Sequence, residues 1–241
     1  MNRETQGIVT GLVGGAVLYA SLTETYLRYV KAGLRPLLII TAVVLLVTAA
    51  VTLWQEYRSQ RAEDHDDGHD DGHGHGHRES RLSWLLVAPV FALVIAAPPA
   101  LGSYTAGRAG TALQRPVGYA DLPATDPLPL PVLDYAARAA YDHGRSLDGR
   151  RIRLTGFISY GRTGTPYLTR MTLNCCAADA QPIKVGLAGT LPPDLEPDTW
   201  LEVTGTYTDR MAKDDINGGP IPFIVVVDSR PVPAPEQQYE N

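Results

Sequence analysis

Long stretches without a charged residue constrain this chain more than any other feature of its sequence. Pro36–Trp54 and Leu82–Leu101 carry no charge, and each is close to the roughly 20 apolar residues that cross the hydrocarbon core of a bilayer. Gly7–Thr23 is also uncharged but shorter, at the low end of the spanning range. The pattern predicts a helical membrane region over residues 1–102 with three spans, and hence a multi-pass protein of the lipid bilayer.

The first stretch has an alternative interpretation. Arg3 before an apolar run, with the small residues Ala20 and Ser21 after it, is typical of a cleaved signal peptide, which would leave two spans. Gly7, Gly11 and Gly15 recur every fourth residue, however, and form a smooth stripe on which another helix can pack. The stripe favours a retained span, with its partner helix in the same chain or in another protein.

The basic residues predict the orientation of the spans. With three spans, the N-terminus and the connection at residues 58–81 share one side of the membrane. Arg3 and the four arginines within 58–81 outnumber the three basic residues within 28–35. The positive-inside rule therefore predicts a cytoplasmic connection and an extracytoplasmic C-terminal region.

A run rich in histidine and aspartate occupies the connection at 58–81. Five of the six histidines of the chain lie in it, and glycines separate them. Imidazoles and carboxylates suit borderline divalent cations, zinc above all, so the run predicts a metal-binding loop. A solvated polar linker is the alternative. The candidate ligands of the loop are His65, His69, His73, His75, His77, Asp66, Asp67, Asp70 and Asp71.

The rest of the chain has the pattern of a linker followed by a mainly-β domain. Residues 103–131 are rich in Pro, Gly and Ala, which predicts a linker. Residues 132–230 form the predicted domain, and 231–241 the predicted tail. Leu133–Tyr141 has helical spacing. Strand-like segments follow at Arg151–Ile158, Tyr167–Leu173, Pro182–Leu187, Trp200–Tyr207 and Phe223–Asp228.

Two of these strand-like segments contain a Thr-Gly pair at the point where a strand would have to coil. The pairs are Thr155-Gly156 and Thr204-Gly205. Five short strands with such glycines predict a small closed barrel of the oligonucleotide/oligosaccharide-binding (OB) type. A β-sandwich is the alternative.

Charge and motif content exclude several function classes. The net charge of −5 provides no basic surface for nucleic acid, which we do not expect as a partner. The C-terminal half contains no nucleophile elbow, no paired acids and no phosphate-binding glycine loop. We therefore do not expect a hydrolytic enzyme.

The only two cysteines, Cys175 and Cys176, are adjacent. Neighbouring Cα atoms are about 3.8 Å apart, below the usual disulfide range, so a stabilising bridge between them would be strained. The pair can serve as metal-binding thiolates with Asp179, as a redox-labile pair, or as two small buried residues, and an intermolecular bridge is a further alternative. Joint ligation requires the chain to turn at Cys175, because adjacent side chains of a strand face opposite sides. His143 is the only histidine of this domain that could complete a zinc site.

The cysteine segment also carries a family resemblance. Leu154-Thr155-Gly156-Phe157, Arg170, the segment Cys175-Cys176-Ala177-Ala178-Asp179-Ala180 and Trp200-Leu201-Glu202-Val203-Thr204-Gly205 together resemble a bacterial permease-subunit family with a DUF1980-type C-terminal domain. The resemblance covers roughly residues 133–230, and the membrane half only in its layout. It implies an integral protein of the bacterial cell membrane that acts beside a larger polytopic permease subunit, without enzymatic activity.

We expect an accessory subunit of a transport system that handles a divalent metal such as zinc. The loop would buffer or sense the metal, and Cys175, Cys176 and Asp179 would form a second site. The alternatives are a membrane-anchored thiol redox protein and a metal chaperone that acts without a permease. Against the redox alternative, the chain lacks the Cys-x-x-Cys spacing of thiol exchange.

Overall fold

The computed structural model describes residues 3–63 and 99–240 and divides the chain into two compact units. The first unit contains the N-terminal helices. The second combines residues 27–31 with the chain from residue 100 onward. The predicted histidine- and aspartate-rich loop lies outside the described residues, as does the predicted third span except for residues 99–101.

Two helices of the first unit are long and apolar enough to cross a membrane. Helix α1 spans Arg3–Leu22 and helix α2 spans Arg35–Glu63. The two candidate spans, Thr5–Leu22 and Ala32–Arg58, cover the first predicted span except for Thr23 and the whole of the second. These are two candidate spans by length and composition, and the three predicted spans are not all observed among the described residues.

The glycines of α1 allow α1 and α2 to pack closely. A Cβ atom at Gly7 would lie 2.9 Å from the side chain of Leu53, and one at Gly14 would lie 3.1 Å from leucine side chains of α2. Gly11 also faces α2, whereas a Cβ atom at Gly15 would meet nothing within 4 Å. The face of α1 that contacts α2 therefore contains Gly7, Gly11 and Gly14, at spacings of four and three residues. A strict four-residue repeat would drift off this face, because an α-helix has 3.6 residues per turn.

The second unit is mainly β, with two short helices before the main strands. Helix α3 spans Ser103–Ala106 and helix α4 spans Val132–Tyr141. A two-residue strand, β1 (Leu128–Pro129), precedes α4. The five main strands and a final two-residue strand are β2 (Arg151–Tyr160), β3 (Pro166–Thr172), β4 (Gln181–Gly189), β5 (Trp200–Lys213), β6 (Pro220–Pro231) and β7 (Tyr239–Glu240).

The five main strands form a closed barrel. Their order is β2-β5-β6-β4-β3, and β3 pairs with β2 to close the ring. All pairs are antiparallel except β4 with β6. The closed ring of five strands confirms the predicted barrel and excludes the sandwich alternative, and five is also the strand number of OB-type barrels.

Both Thr-Gly glycines lie where backbones of the barrel approach closely. A Cβ atom at Gly156 would lie 2.8 Å from the carbonyl oxygen of Thr169 on β3. A Cβ atom at Gly205 would overlap the carbonyl oxygen of Val225 on β6, at a break in the β5–β6 register. These strands can coil and close because the two positions have no side chain.

Helix α4 packs on the barrel core. Its apolar face, which includes the fully buried Val132, Tyr135 and Ala136, contacts the side chains that fill the barrel. The Tyr135 hydroxyl donates to the carbonyl oxygen of Phe223 at 2.7 Å. The spacing of apolar residues over 133–141 predicted this helix, and the structure starts it one residue earlier.

The end of the chain also packs on this unit. Strand β7 pairs in parallel with β3, and Tyr239 is buried. The Glu240 carboxylate accepts the N–H groups of Val132 and Leu133 at 2.8 Å each, at the start of α4. It also lies 3.4 Å from the guanidinium of the buried Arg170. Burial raises the pKa of Glu240, although these partners oppose the rise. Residues 239–240 of the predicted tail are thus a structural part of the domain.

Candidate metal site

The cysteine pair lies in the connection between β3 and β4. Strand β3 ends at Thr172, and a 3-10 turn at Ala177–Asp179 precedes β4. Cys176 itself is extended, with φ −150° and ψ 170°. The chain therefore turns after Cys176 and not at Cys175 as predicted, and this turn brings Asp179 back to Cys175.

The three predicted ligands of this connection lie together. One donor atom from each of Cys175, Cys176 and Asp179 falls within 4.8 Å of the others. Cys175 is exposed, Cys176 is half-buried, and both are free thiols. Donor atoms bound to one tetrahedral zinc lie about 3.3–3.8 Å apart, so joint binding requires any pair at the wider separations to move closer together. Two thiolates with one carboxylate suit zinc or a similar thiophilic divalent cation.

Hydrogen bonds to Asp179 organise the turn. Its carboxylate accepts the N–H groups of Asn174 at 3.0 Å and Cys175 at 2.9 Å, and the Cys175 thiol donates to it at 3.0 Å. The bonds to Asp179 and to the Cys176 thiol raise the pKa of Cys175 to about 11. The Cys175 thiol and these amides lower the pKa of Asp179. The metal-free turn therefore holds a protonated thiol beside a carboxylate, and a bound metal would take the place of that proton.

Residues 29–31, which we call the connector, pair with the cysteine turn. The Lys31 N–H donates to the carbonyl oxygen of Cys175 at 3.1 Å, and the Ala177 N–H donates to the carbonyl oxygen of Tyr29 at 2.7 Å. Val30 forms an antiparallel bridge with Cys176 between these two bonds. In sequence, the connector lies between α1 and α2. Sequence reasoning missed this pairing, because a bridge between positions about 145 residues apart leaves no periodic signal.

A tyrosine hydroxyl anchors the chain just before the connector. The Tyr239 hydroxyl donates to the carbonyl oxygen of Arg28 at 3.0 Å and accepts the N–H of Leu101 at 3.0 Å. Tyr239 is only 3% exposed, and both bonds are part-buried. The two segments that enter this unit from the N-terminal half therefore meet at one side chain.

Comparison with known families agrees with the resemblance carried by the cysteine segment. The DUF1980 C-terminal domain matches residues 135–240, and the DUF1980 N-terminal domain matches residues 6–110. The chain belongs to the DUF1980 family. It matches no curated protein and no solved structure.

The DUF1980 C-terminal match includes the whole cysteine turn and strand β7, and the N-terminal match includes the connector. Both sides of the connector pairing therefore fall within family domains. The residues of the predicted loop site lie outside the described part of the chain, so only the cysteine turn has a described geometry. His143 is exposed in the turn after α4 and is not a member of the described metal-ligand cluster.

A cavity of about 720 Å³ opens beside Asp179. Its walls come from residues 112–120, from α4 and from the end of β3, and Gln114, Arg115 and Asn174 give it polar groups. The three donors of the turn leave a tetrahedral ion one position short. The cavity offers space for solvent or an incoming ligand next to one of those donors.

Proposed function

We propose that this DUF1980 protein is an accessory integral-membrane subunit of a bacterial transport system, and that its barrel binds a divalent metal, zinc first, at Cys175, Cys176 and Asp179. The observation that carries the proposal is the convergence of the three donors on one exposed turn. No catalytic step is part of it. The histidine- and aspartate-rich loop would buffer or sense the same metal, as its composition suggests.

An open coordination position favours exchange of the metal over permanent structural binding. Structural zinc sites are closed by four protein ligands, whereas this turn supplies three at the surface of the domain. The cavity beside Asp179 would admit the fourth ligand. A site of this kind suits a protein that accepts a metal and passes it on.

The thiol redox alternative receives less support. Reactive thiols are usually activated by a lowered pKa, whereas the partners of Cys175 raise its pKa to about 11. A metal chaperone that acts alone uses the same site and differs only in lacking a permease. Copurification distinguishes the two. The tagged protein, extracted in mild detergent, should bring down a larger polytopic protein. If no such protein is copurified, the subunit proposal is refuted.

We also propose the three-span topology, with the C-terminal domain outside the cytoplasm. If α1 and α2 both cross the membrane, the connector lies on one side and the end of α2 on the other. The bonds between the connector and the cysteine turn favour a domain on the connector side. On this topology the chain crosses once more after α2, and the uncharged stretch 82–101 is the proposed third span.

The orientation can be tested with the two native cysteines. A membrane-impermeant maleimide should label Cys175, which is exposed, in intact cells whose outer layers admit the reagent. The Cys175→Ser/Cys176→Ser variant is the control for specificity. Labelling that requires permeabilisation of the cell membrane would refute an extracytoplasmic domain.

Metal binding at the turn can be tested in the full-length protein in detergent. The five loop histidines are first replaced by alanine, so that thiolate ligation is observed alone. Added Co²⁺ should give thiolate-to-cobalt charge-transfer absorption, and Zn²⁺ should displace it. Cys175→Ser/Cys176→Ser should abolish the band, and Asp179→Asn should weaken binding. The absence of a band from protein with intact cysteines would refute the proposed site.

A further inference from the structure

The backbone of the cysteine turn is held from two directions. From within the turn, Asp179 bonds the N–H groups of Asn174 and Cys175, and its own N–H donates to the carbonyl oxygen of Cys176 at 3.0 Å. From outside, the connector bonds the carbonyl of Cys175 and the N–H of Ala177. These last two groups flank Cys176, so the connector fixes both of its peptide planes.

The connector thereby fixes the backbone from which the two sulfur atoms project. Cys176 is extended and Val30 is bridged to it, and with this backbone the donor atoms of Cys175, Cys176 and Asp179 lie within 4.8 Å of one another. Strand β3 has already ended at Thr172 and β4 starts only at Gln181. The connector therefore supplies the described β pairing of this short stretch.

From this arrangement we infer that the connector is the positioning element of the metal site. The inference rests on the proposed function, because it concerns the same site. Main-chain bonds from Tyr29 and Lys31 preorganise Cys175 and Cys176 for joint ligation, so loss of these bonds lowers metal affinity. By linkage, metal bound at the turn stabilises the pairing and holds the connector against the turn.

Metal that holds the connector also affects the start of α2. The connector continues into the 3-10 turn Ala32–Leu34 and then into α2, which begins at Arg35. A metal that holds residues 29–31 in place restricts the chain at the start of a candidate membrane span.

Substitutions at Lys31 test the positioning. Lys31→Pro removes the N–H that bonds Cys175, and Lys31→Ala keeps that N–H while removing the same side chain. In the background without loop histidines, we expect Lys31→Pro to bind zinc about 3- to 10-fold more weakly than Lys31→Ala, as the loss of one hydrogen bond implies. If Lys31→Pro and Lys31→Ala both bind zinc with equal affinity, the positioning role of the connector is refuted, whereas the metal site itself is not. If the unsubstituted background binds no zinc, the proposed metal site fails, and this inference fails with it.

A second variant keeps the test decisive if Lys31→Pro fails to fold. Tyr239→Phe removes the hydroxyl that bonds the carbonyl oxygen of Arg28 and leaves the N–H of Lys31 in place. It should also weaken zinc binding, by about 2- to 5-fold, because the connector loses its anchor. Unchanged zinc affinity in Tyr239→Phe would contradict the inference.

Proteolysis tests the reciprocal effect. Trypsin can cleave after Arg28 and Lys31, and both residues lie at or beside the pairing. Zinc should slow cleavage at these two positions when the cysteines are intact, and should have no effect in Cys175→Ser/Cys176→Ser. Cleavage rates that do not respond to bound zinc would refute the proposed hold of the metal on the connector.

Discussion

A buried ion pair gives the sharpest prediction about the stability of the barrel. Lys184 on β4 and Asp214 after β5 lie 2.8 Å apart, with side chains only 6% and 2% exposed. The same carboxylate accepts the N–H groups of Thr111 at 3.0 Å and Ile216 at 2.9 Å. Asp214→Asn removes the charge and puts an amide donor where the carboxylate accepts bonds, so Lys184 keeps a buried charge without its counter-ion.

The size of the effect follows from this geometry. Removing one partner of a buried pair typically costs about 3–5 kcal/mol, because the other charge remains out of water. Lys184 retains one bond, to the carbonyl oxygen of Ala109 at 2.9 Å, which places the expected cost near the lower end, about 3 kcal/mol. For a domain of this size, that loss lowers the midpoint of thermal unfolding by about 6–12 °C.

Near-UV circular dichroism of the full-length protein in mild detergent would measure the midpoint. The control is the double variant Lys184→Met/Asp214→Asn, which removes both charges and should be more stable than Asp214→Asn alone. The reasoning is refuted if the unfolding midpoint of Asp214→Asn lies within about 2 °C of that of wild type. It is also refuted if the double variant is no more stable than Asp214→Asn.

The pH dependence of the same pair provides a second readout. Burial alone would raise the pKa of Asp214, but the bonds from Lys184, Ile216 and Thr111 outweigh burial and lower it. A lowered pKa contributes stability above the ordinary aspartate value of 3.8, and that stability is lost as the pH falls through the folded-state pKa. The difference in midpoint between wild type and Asp214→Asn should therefore narrow as the pH falls below 3.8. If the difference in midpoint instead widens as the pH falls, the expected direction of the pH dependence is wrong.

Three further predictions concern the barrel, the helix pair and the metal site. Gly205→Ala should cost about 1–3 kcal/mol in thermal unfolding, because its Cβ atom would overlap the carbonyl oxygen of Val225. Gly14→Leu should lower the thermal stability of the α1–α2 pair, whereas Gly15→Leu, where a Cβ atom meets nothing within 4 Å, should not. Zinc binding should strengthen as the pH rises and should release protons on calorimetry in buffers of different ionisation enthalpy, because the Cys175 thiol must lose its proton.

The sequence predicted those parts of the fold that have a local pattern. The strand-like segments overlap all five barrel strands, and helical spacing located α4. Gly156 and Gly205 predicted the closed ring, because a strand that coils against a neighbouring backbone has no room for a side chain there. Four of the five strands extend beyond the predicted bounds, most of all β5 and β6, because the ladder continues wherever a neighbour is present, whereas β3 lies one residue earlier than predicted.

Contacts without a local pattern escaped prediction. Strand β7 contains only Tyr239 and Glu240, and neither alternation nor composition distinguishes them from a tail. The bridge of Val30 to Cys176 is shorter still. Such contacts depend on where the barrel brings distant segments, and that placement follows from the closed fold as a whole.

The candidate site combines both kinds of information. Its donors lie within five consecutive residues, so the sequence alone could group Cys175 with Asp179. The backbone around these donors also bonds to the connector, which Tyr239 anchors, and these residues lie about 145 residues before and about 60 residues after the turn. A short peptide with the turn sequence therefore offers the same ligands without the same geometry. It should bind zinc more weakly than the full-length protein, because it must order its own backbone at the moment of binding.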